Sequence, residues 1–261
     1  MHKHKELSLE LLRITFMPER KLLGLLIVAT NKPKVIYELS SFLVKHNMKL
    51  LYANIVTKND EAELTVFLDI SETKNMLEEI AKEIAKTENV KKVHIIKPIF
   101  KGLIVDTIHF PILLLGERAW IIGKSVSKGL FKDIKANFRE AGKVFLYHLG
   151  VKVGKGLYEG YRKYVSSEKD MLILIPALAK AVGWGIIEEI KPRLFGRYKI
   201  KMYNSMECEI CKPSKEPSGH FSRGILAGLL SKITRKEMVV DEVKCIAKGD
   251  PYCEFIAKPK E

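Results

Sequence analysis

The sequence predicts an α/β (α+β) chain in two parts. A ferredoxin-like βαββαβ unit spans residues 20–98, and a mixed α/β unit with a helical layer on an antiparallel sheet spans 113–261. Residues 1–19 read as an N-terminal extension and 99–112 as a connection. Three observations carry this reading. Apolar runs and amphipathic stretches alternate in β-α-β-β-α-β order through residues 22–96. A helix-rich block follows, and the chain closes on two short alternating segments around a Gly-Asp-Pro turn. All four cysteines fall within the last 54 residues.

The first unit is legible element by element. Residues 22–28 are a continuous apolar run, and Thr-Asn-Lys-Pro then places Pro33 for the first turn of a helix. Val35, Leu39, Phe42 and Leu43 recur at helical spacing. Residues 50–56 are strand-like, Lys58-Asn59-Asp60-Glu61 is a turn, and Leu64, Val66 and Leu68 alternate as a half-exposed strand. Met76, Leu77, Ile80, Ile84 and Ala85 mark a second amphipathic helix, and residues 90–96 a last strand. This order, with the turn Asn31-Lys32-Pro33-Lys34, resembles the ACT family of small-molecule regulatory domains. Amino-acid-binding members of that family usually carry glycine after this proline, where Lys34 stands here.

In the second part, Lys124, Lys128, Lys132, Lys135, Arg139 and Lys143 fall within a sector of about 100° on a helix. Leu130, Ile134, Phe138, Ala141, Phe145 and Leu149 fall opposite, so the apolar stripe is expected inside and the basic one in solvent. A basic face of this kind could dock a protein partner or an anionic surface, or simply be solvated. Gly150, Gly154, Gly156 and Gly160 lack the Lys-Ser/Thr pair of a phosphate loop and fit close helix packing better. Residues 171–187 form the most apolar stretch, read as a buried core helix rather than a membrane span. Residues 197–203 alternate as a strand, Pro213 and Pro217 mark an irregular loop, and a helix runs from about His220 to Ile233.

Charge and motifs narrow the function. The chain of 261 residues carries a net charge of +14. Residues 1–98 hold 16 basic and 13 acidic side chains (net +3); the rest hold 29 and 18 (net +11). No helix-turn-helix pattern points to sequence-specific DNA binding, and no dinucleotide fingerprint or paired-carboxylate arrangement points to catalysis. His109, His148 and His220 each sit alone in the sequence. The start lacks an apolar signal segment, and four cysteines in a chain of this size suit a reducing cytoplasm.

The cysteines read as C-x-x-C (Cys208, Cys211), 33 intervening residues, then C-x7-C (Cys245, Cys253). A turn and a hairpin can bring two thiolate pairs to one tetrahedral cation, and zinc favours four such ligands. Metal-free thiols, a redox dithiol and an iron–sulfur cluster are the alternatives, the last without ferredoxin spacing. The segment Phe221-Ser-Arg-Gly224-Ile-Leu-Ala-Gly228 and the later Glu242-Val-Lys-Cys245-Ile-Ala-Lys-Gly249-Asp-Pro-Tyr-Cys253-Glu-Phe255 resemble the 4-vinyl-reductase domain. The resemblance covers about residues 105–258. Related domains sense aromatic compounds in bacterial transcription activators, accompany bacteriochlorophyll synthesis and share architecture with vesicle-tethering subunits. In the aromatic sensors a glutamate and three cysteines hold zinc, which by position implies Glu242, Cys245 and Cys253 here. The remaining family cysteine falls at Gly219, beside His220, where this chain departs from the pattern. Cys208 and Cys211 can supply the missing ligand, with Glu242 and His220 as alternates. The expectation is a cytoplasmic, homodimeric sensor that binds a small apolar or aromatic ligand among helices carrying Phe138, Phe145 and Trp184. Structural zinc stiffens it, and an adaptor or a vinyl reductase is the alternative.

Overall fold

The computed structural model describes residues 8–11, 13–73 and 76–261. They gather in two units, Met1–Trp120 and Ile121–Glu261, each with its own apolar core.

The first unit opens with strand β1 (Ile14–Phe16), followed by β2 (Leu22–Thr30), α1 (Pro33–Lys45), β3 (Lys49–Lys58), β4 (Glu61–Asp69), α2 (Leu77–Ile84) and β5 (Val90–Ile96). The sheet order is β3-β4-β2-β5 with every neighbour antiparallel, the ferredoxin-like arrangement that the element order predicts. Pro33 opens α1 as expected, and Asn59 (φ 54°) turns the β3–β4 hairpin. Val35, Leu39, Ile80 and Ile84 bury the helices against Leu25, Ile27 and Leu68 of one sheet face.

Strand β4 departs from the half-exposed expectation, because Thr65 and Phe67 on its other face are buried too. Their cover comes from the segment read as a connection. Strand β6 (Leu103–Val105) pairs with β1, and Ile104 packs on Phe67, Leu22 and Ile96. The neighbouring residues are tied down by charge. Arg13 pairs with Asp106 at 2.9 Å, and Asp106 Oδ2 lies 2.9 Å from His109 Nδ1. His109 Nε2 lies 3.4 Å from Thr65 Oγ1. This Asp–His–Thr chain replaces the isolated histidine that the sequence suggests. Thr65 is buried within the sheet, so the chain is a brace rather than a nucleophile. A hairpin of β7 (Ile112–Leu114) and β8 (Glu117–Ala119) ends the unit.

The second unit contains α3 (Lys124–Lys128), a π-helical turn at Gly129–Asp133, α4 (Ile134–Tyr161), α5 (Glu168–Ala181), β9 (Ile186–Pro192), β10 (Tyr198–Tyr203), α6 (Met206–Ile210), α7 (His220–Thr234), β11 (Met238–Lys244) and β12 (Cys253–Pro259). The antiparallel sheet runs β11-β12-β10-β9. Helix α5 packs on β9 and α7 on β11 and β12, while α4 lies along α7. The helical layer on an antiparallel sheet is as expected.

Two expectations need correction. The apolar stretch 171–187 is not one helix: α5 stops at Ala181, Gly183 (φ 73°) and Gly185 (φ 159°) turn the chain, and Ile186 begins β9. No helix among the described residues is long and apolar enough to cross a membrane. The α4 stripes are also reversed. Phe138 and Phe145 are 63% and 56% exposed, whereas Gly142, Leu146, Gly150 and Gly154 are buried. The lysine side faces inward: Lys135 and Lys143 are only 12% and 17% exposed. Lys135 Nζ donates to Ser218 O at 2.8 Å, Lys143 pairs with Glu140 and Glu216, and Lys124 with Glu209. The backbone breaks from helical geometry at Arg139 (φ 47°, ψ −126°), so a single phase cannot be carried along the whole stripe. The glycines then decide which side lies against α7.

Candidate metal centre

Helix α7 begins at Gly219, a residue with no side chain to cap its free N–H groups. The cap comes from Glu207 on α6, which is fully buried. Its carboxylate accepts from Phe221 N–H at 3.0 Å, Ser222 N–H at 2.9 Å and Ser222 Oγ at 2.8 Å. Burial pushes the Glu207 carboxyl up, and Lys135 at 3.9 Å and the Ser222 and Phe221 donors oppose it. A carboxylate at a helix N-terminus satisfies both the open donors and the positive dipole end. The missing side-chain cap on Gly219 is the readable signal for such a partner, and neither charge counting nor cysteine spacing brings it out. Docking Glu207 here sets the next residue, Cys208, beneath the start of α7.

The second side of the centre is the β11–β12 hairpin. Its turn folds back on itself: Asp250 accepts from Cys245 N–H at 2.8 Å, Asp250 N–H donates to Cys245 O at 3.2 Å, and Gly249 takes φ 103°. Cys245 and Cys253 therefore return to one place despite their seven-residue spacing. Glu242 enters from β11, where a register shift lies between Glu242 and Lys244.

One ligand atom each from Cys208, Glu242, Cys245 and Cys253 lie within 4.8 Å of one another, and all four residues are buried. Cys208 Sγ donates to Glu242 Oε1 at 3.5 Å, and Gly219 N–H donates to Glu242 Oε2 at 2.8 Å. Ile246 N–H points to Cys253 Sγ at 3.5 Å and Ala247 N–H to Cys245 Sγ at 3.4 Å. Hydrogen bonding from Cys208 and Cys253 holds the Cys245 thiol well below its usual range. The same contacts with Cys245 and Cys253, with burial, push Cys208 up. Burial, then the Cys245 charge, lifts Glu242 to about 8. These directions share one physical cause. Four acidic groups converge away from water, and only part of their negative charge is tolerable without a cation. The donor set, three sulfurs and one carboxylate oxygen with amide donors on two sulfurs, fits a divalent zinc-type ion.

Two expected ligands lie elsewhere. Cys211 is buried but outside the group, and Lys135 acts on its thiol, which burial raises. The C-x-x-C pair sits on helix α6 rather than on an open turn, so three residues rotate the second thiol about 300° and carry it along the axis. His220 also lies outside the group. Its Nδ1 is 3.4 Å from Arg223 Nη2, and burial, then the Lys135 and Arg223 charges, depress it to about 4. Gly219, where a family cysteine is missing, is beside the centre: a Cβ there would lie 3.0 Å from Glu242 Oε2 and 3.2 Å from Cys208 Sγ. Cys208 thus brings sulfur, from a different element, to the space that a residue-219 side chain would reach.

The match to known sequences falls on this region. Residues 198–259 match the vinyl-4-reductase domain family. The second unit carries a domain of that family. The matched stretch runs from β10 to β12 and contains all four grouped donors, in keeping with the resemblance read from the sequence. An uncharacterized protein of Methanocaldococcus jannaschii is 33% identical over 119 residues, covering 43% of this chain. The match takes in 48% of that relative, so the chain spans about half its length. Among solved structures, the phenol-responsive sensory domain of the transcription activator PoxR is similar, with a TM-score of 0.47 and 18% identity over 55% of this chain and 78% of that one. A vinyl-4-reductase family protein from Methanocaldococcus jannaschii gives 0.40 and 24%, over 55% and 85%. The ACT domain of a Chlorobium tepidum GTP pyrophosphokinase gives 0.25 and 17%, over 29% and 97%.

Proposed function

We propose that the second unit is a metal-stapled module for binding a small molecule, within a regulatory protein of the cytoplasm. The observation that carries this reading is the buried group of Cys208, Glu242, Cys245 and Cys253. Zinc is the ion its chemistry favours, held as a structural staple: four protein donors close a tetrahedral shell and leave no position for substrate or water. Bound there, zinc would neutralise the converging thiolates and fix α6 and α7 against the β11–β12 hairpin. Four free cysteines, all buried, suit a reducing compartment.

The ligand side of the reading rests on α6. One face of this short helix gives Cys208 to the centre, and Ile210 joins an aromatic cluster of Phe131, Trp184 and Phe221. The three rings stand 5.4–5.7 Å apart at tilted and edge-on angles. An apolar or aromatic molecule that inserts among them would meet a wall whose position the metal sets. Phe138 and Phe145, expected to line that site, instead belong to the exposed face of α4. There they support a homodimer, since a continuous apolar helix face seeks a partner. Lys135 and Lys143 are engaged within the chain, which weakens the reading of the basic stripe as a partner site.

Elemental analysis of the purified protein tests the centre. We expect one zinc per chain, lost or greatly reduced in Cys208→Ser, Cys245→Ser, Cys253→Ser and Glu242→Gln, and kept in Cys211→Ser. A folded wild-type protein free of metal would refute the staple, and equal loss in Cys211→Ser would refute the ligand set.

A further inference from the structure

The hairpin between β9 and β10 ends in Arg193-Leu194-Phe195-Gly196-Arg197, and its tip carries two features that folding does not require. Leu194 and Phe195 are 79% and 88% exposed. Phe195 also occupies the left-handed region (φ 57°, ψ 33°), where a bulky side chain is strained, and Gly196 follows at φ 68°. The conformation is fixed by the backbone: Arg193 N–H donates to Arg197 O at 2.7 Å and Arg197 N–H to Leu194 O at 3.3 Å. Glycine or asparagine at position 195 would make the same turn without strain and without an aromatic ring in water. An outlier of this kind at an exposed tip points to use outside the fold.

The surroundings are cationic. Strand register brings the end of β9, the start of β10, the end of β12 and the start of β11 to one end of the sheet, with Tyr198 opposite Pro192 and Ala257, and Met238 opposite Pro259. Arg193 and Arg197 flank the tip, and Arg235 and Lys236 precede β11. Among the described residues, no carboxylate pairs with any of these four. A groove of about 530 Å³ opens near β11, lined in part by Lys155, Lys232, Arg235, Lys236 and Lys260. Glu237 is its one acid, and Lys260 already pairs with it.

We propose that this end of the sheet is a docking surface for an anionic lipid membrane. Leu194 and Phe195 enter the boundary between headgroups and acyl chains, and the arginines beside them meet lipid phosphates. The shape favours lipid over protein. A convex tip with two apolar side chains is far below the ~1,000 Å² of a stable protein interface, whereas a bilayer yields around any small apolar wedge. A second copy is disfavoured because the chain carries a net charge of +14 and this end is basic.

Sedimentation of the full chain with vesicles tests the proposal. One set is phosphatidylcholine alone and the other contains about one-third phosphatidylglycerol. The wild-type protein should co-sediment with the anionic set and dissociate as salt is raised. The double variants Leu194→Ser/Phe195→Ser and Arg193→Glu/Arg197→Glu should each weaken binding about tenfold or more. Phe195→Gly separates contact from folding: it should melt at or above the wild-type temperature, with the strain removed, yet bind vesicles more weakly. Failure of the wild-type protein to sediment with anionic vesicles overturns the proposal. So does wild-type binding by the tip variants, which would assign the attraction to net charge alone.

Discussion

At the scale of single residues, the start of α7 shows how burial sets chemistry. Glu207 and Glu242 are both buried carboxylates, yet their tasks differ through their neighbours. Glu207 meets N–H groups and Lys135, so it caps; Glu242 meets one N–H and three sulfurs, so its charge calls for a cation. His220 sits beside both, where burial and the Lys135 and Arg223 charges hold its pKa near 4 against 6.5 for the free side chain. In the unfolded chain the ring takes a proton at about 6.5, while the folded chain resists it down to about 4. Between those values the unfolded state binds more protons, so stability is fully present above about 6.5 and falls as pH drops towards 4. Because the ring is only partly buried, the loss should be about 1–3 kcal/mol rather than the full shift. Urea denaturation of wild type and His220→Gln across this window measures it. The variant should lose less stability on acidification, and parallel curves would remove His220 from the acid response.

At the scale of elements, the α4–α7 contact is governed by glycine. A Cβ on Gly154 would lie 2.1 Å from Ile225 O, and one on Gly228 2.1 Å from Val151 O. Both obstacles are backbone, which cannot swing aside as a side chain would. Alanine ordinarily favours a helix over glycine by about 1 kcal/mol, but here the helices must separate. We expect Gly154→Ala and Gly228→Ala each to cost about 1–3 kcal/mol net. Gly156, with open space where its Cβ would stand, should gain up to about 1 kcal/mol as alanine. Chemical denaturation of the three variants decides; a gain at Gly154 would mean the helices have room. Close packing by these glycines is legible in the sequence, and so are β2 to β5, whose apolar periods end at explicit turns. The facing of α4 is not. Counting apolar residues places Phe138 and Phe145 inside, but backbone approach at the glycines outweighs side-chain hydrophobicity, and long lysines can span inward to carboxylates and carbonyls. Strand β9 hides for a related reason: its first residues continue the apolar run of α5, and only Gly183 and Gly185 mark the break. Cysteine clustering reveals that sulfurs converge, while their selection depends on Cys211 standing on a helix and Glu242 facing inward, neither of which spacing encodes.

At the scale of the whole molecule, the two units have separate cores, and the four converging donors belong to the second. The first unit closes on apolar contacts and the Arg13–Asp106–His109 brace, with no thiol in it. Removing the proposed ion should therefore act on one unit and spare the other. An ion present at about a thousand times its dissociation constant stabilises the state it binds by about 4 kcal/mol. For a unit of this size that corresponds to a fall of roughly 10 °C or more in melting temperature on chelation. The two tryptophans assign the transition. Trp184 packs against Phe131 and Phe221 in the metal-bearing unit, whereas Trp120 is exposed at the end of the other. Fluorescence, dominated by the change at Trp184, should follow the chelator-sensitive transition, and calorimetry should find a second transition that chelator leaves in place. If chelation moves both transitions together, the units fold as one cooperative body and the staple supports the whole chain. If it moves neither, the sulfurs stabilise the second unit as thiols, and its core needs no ion.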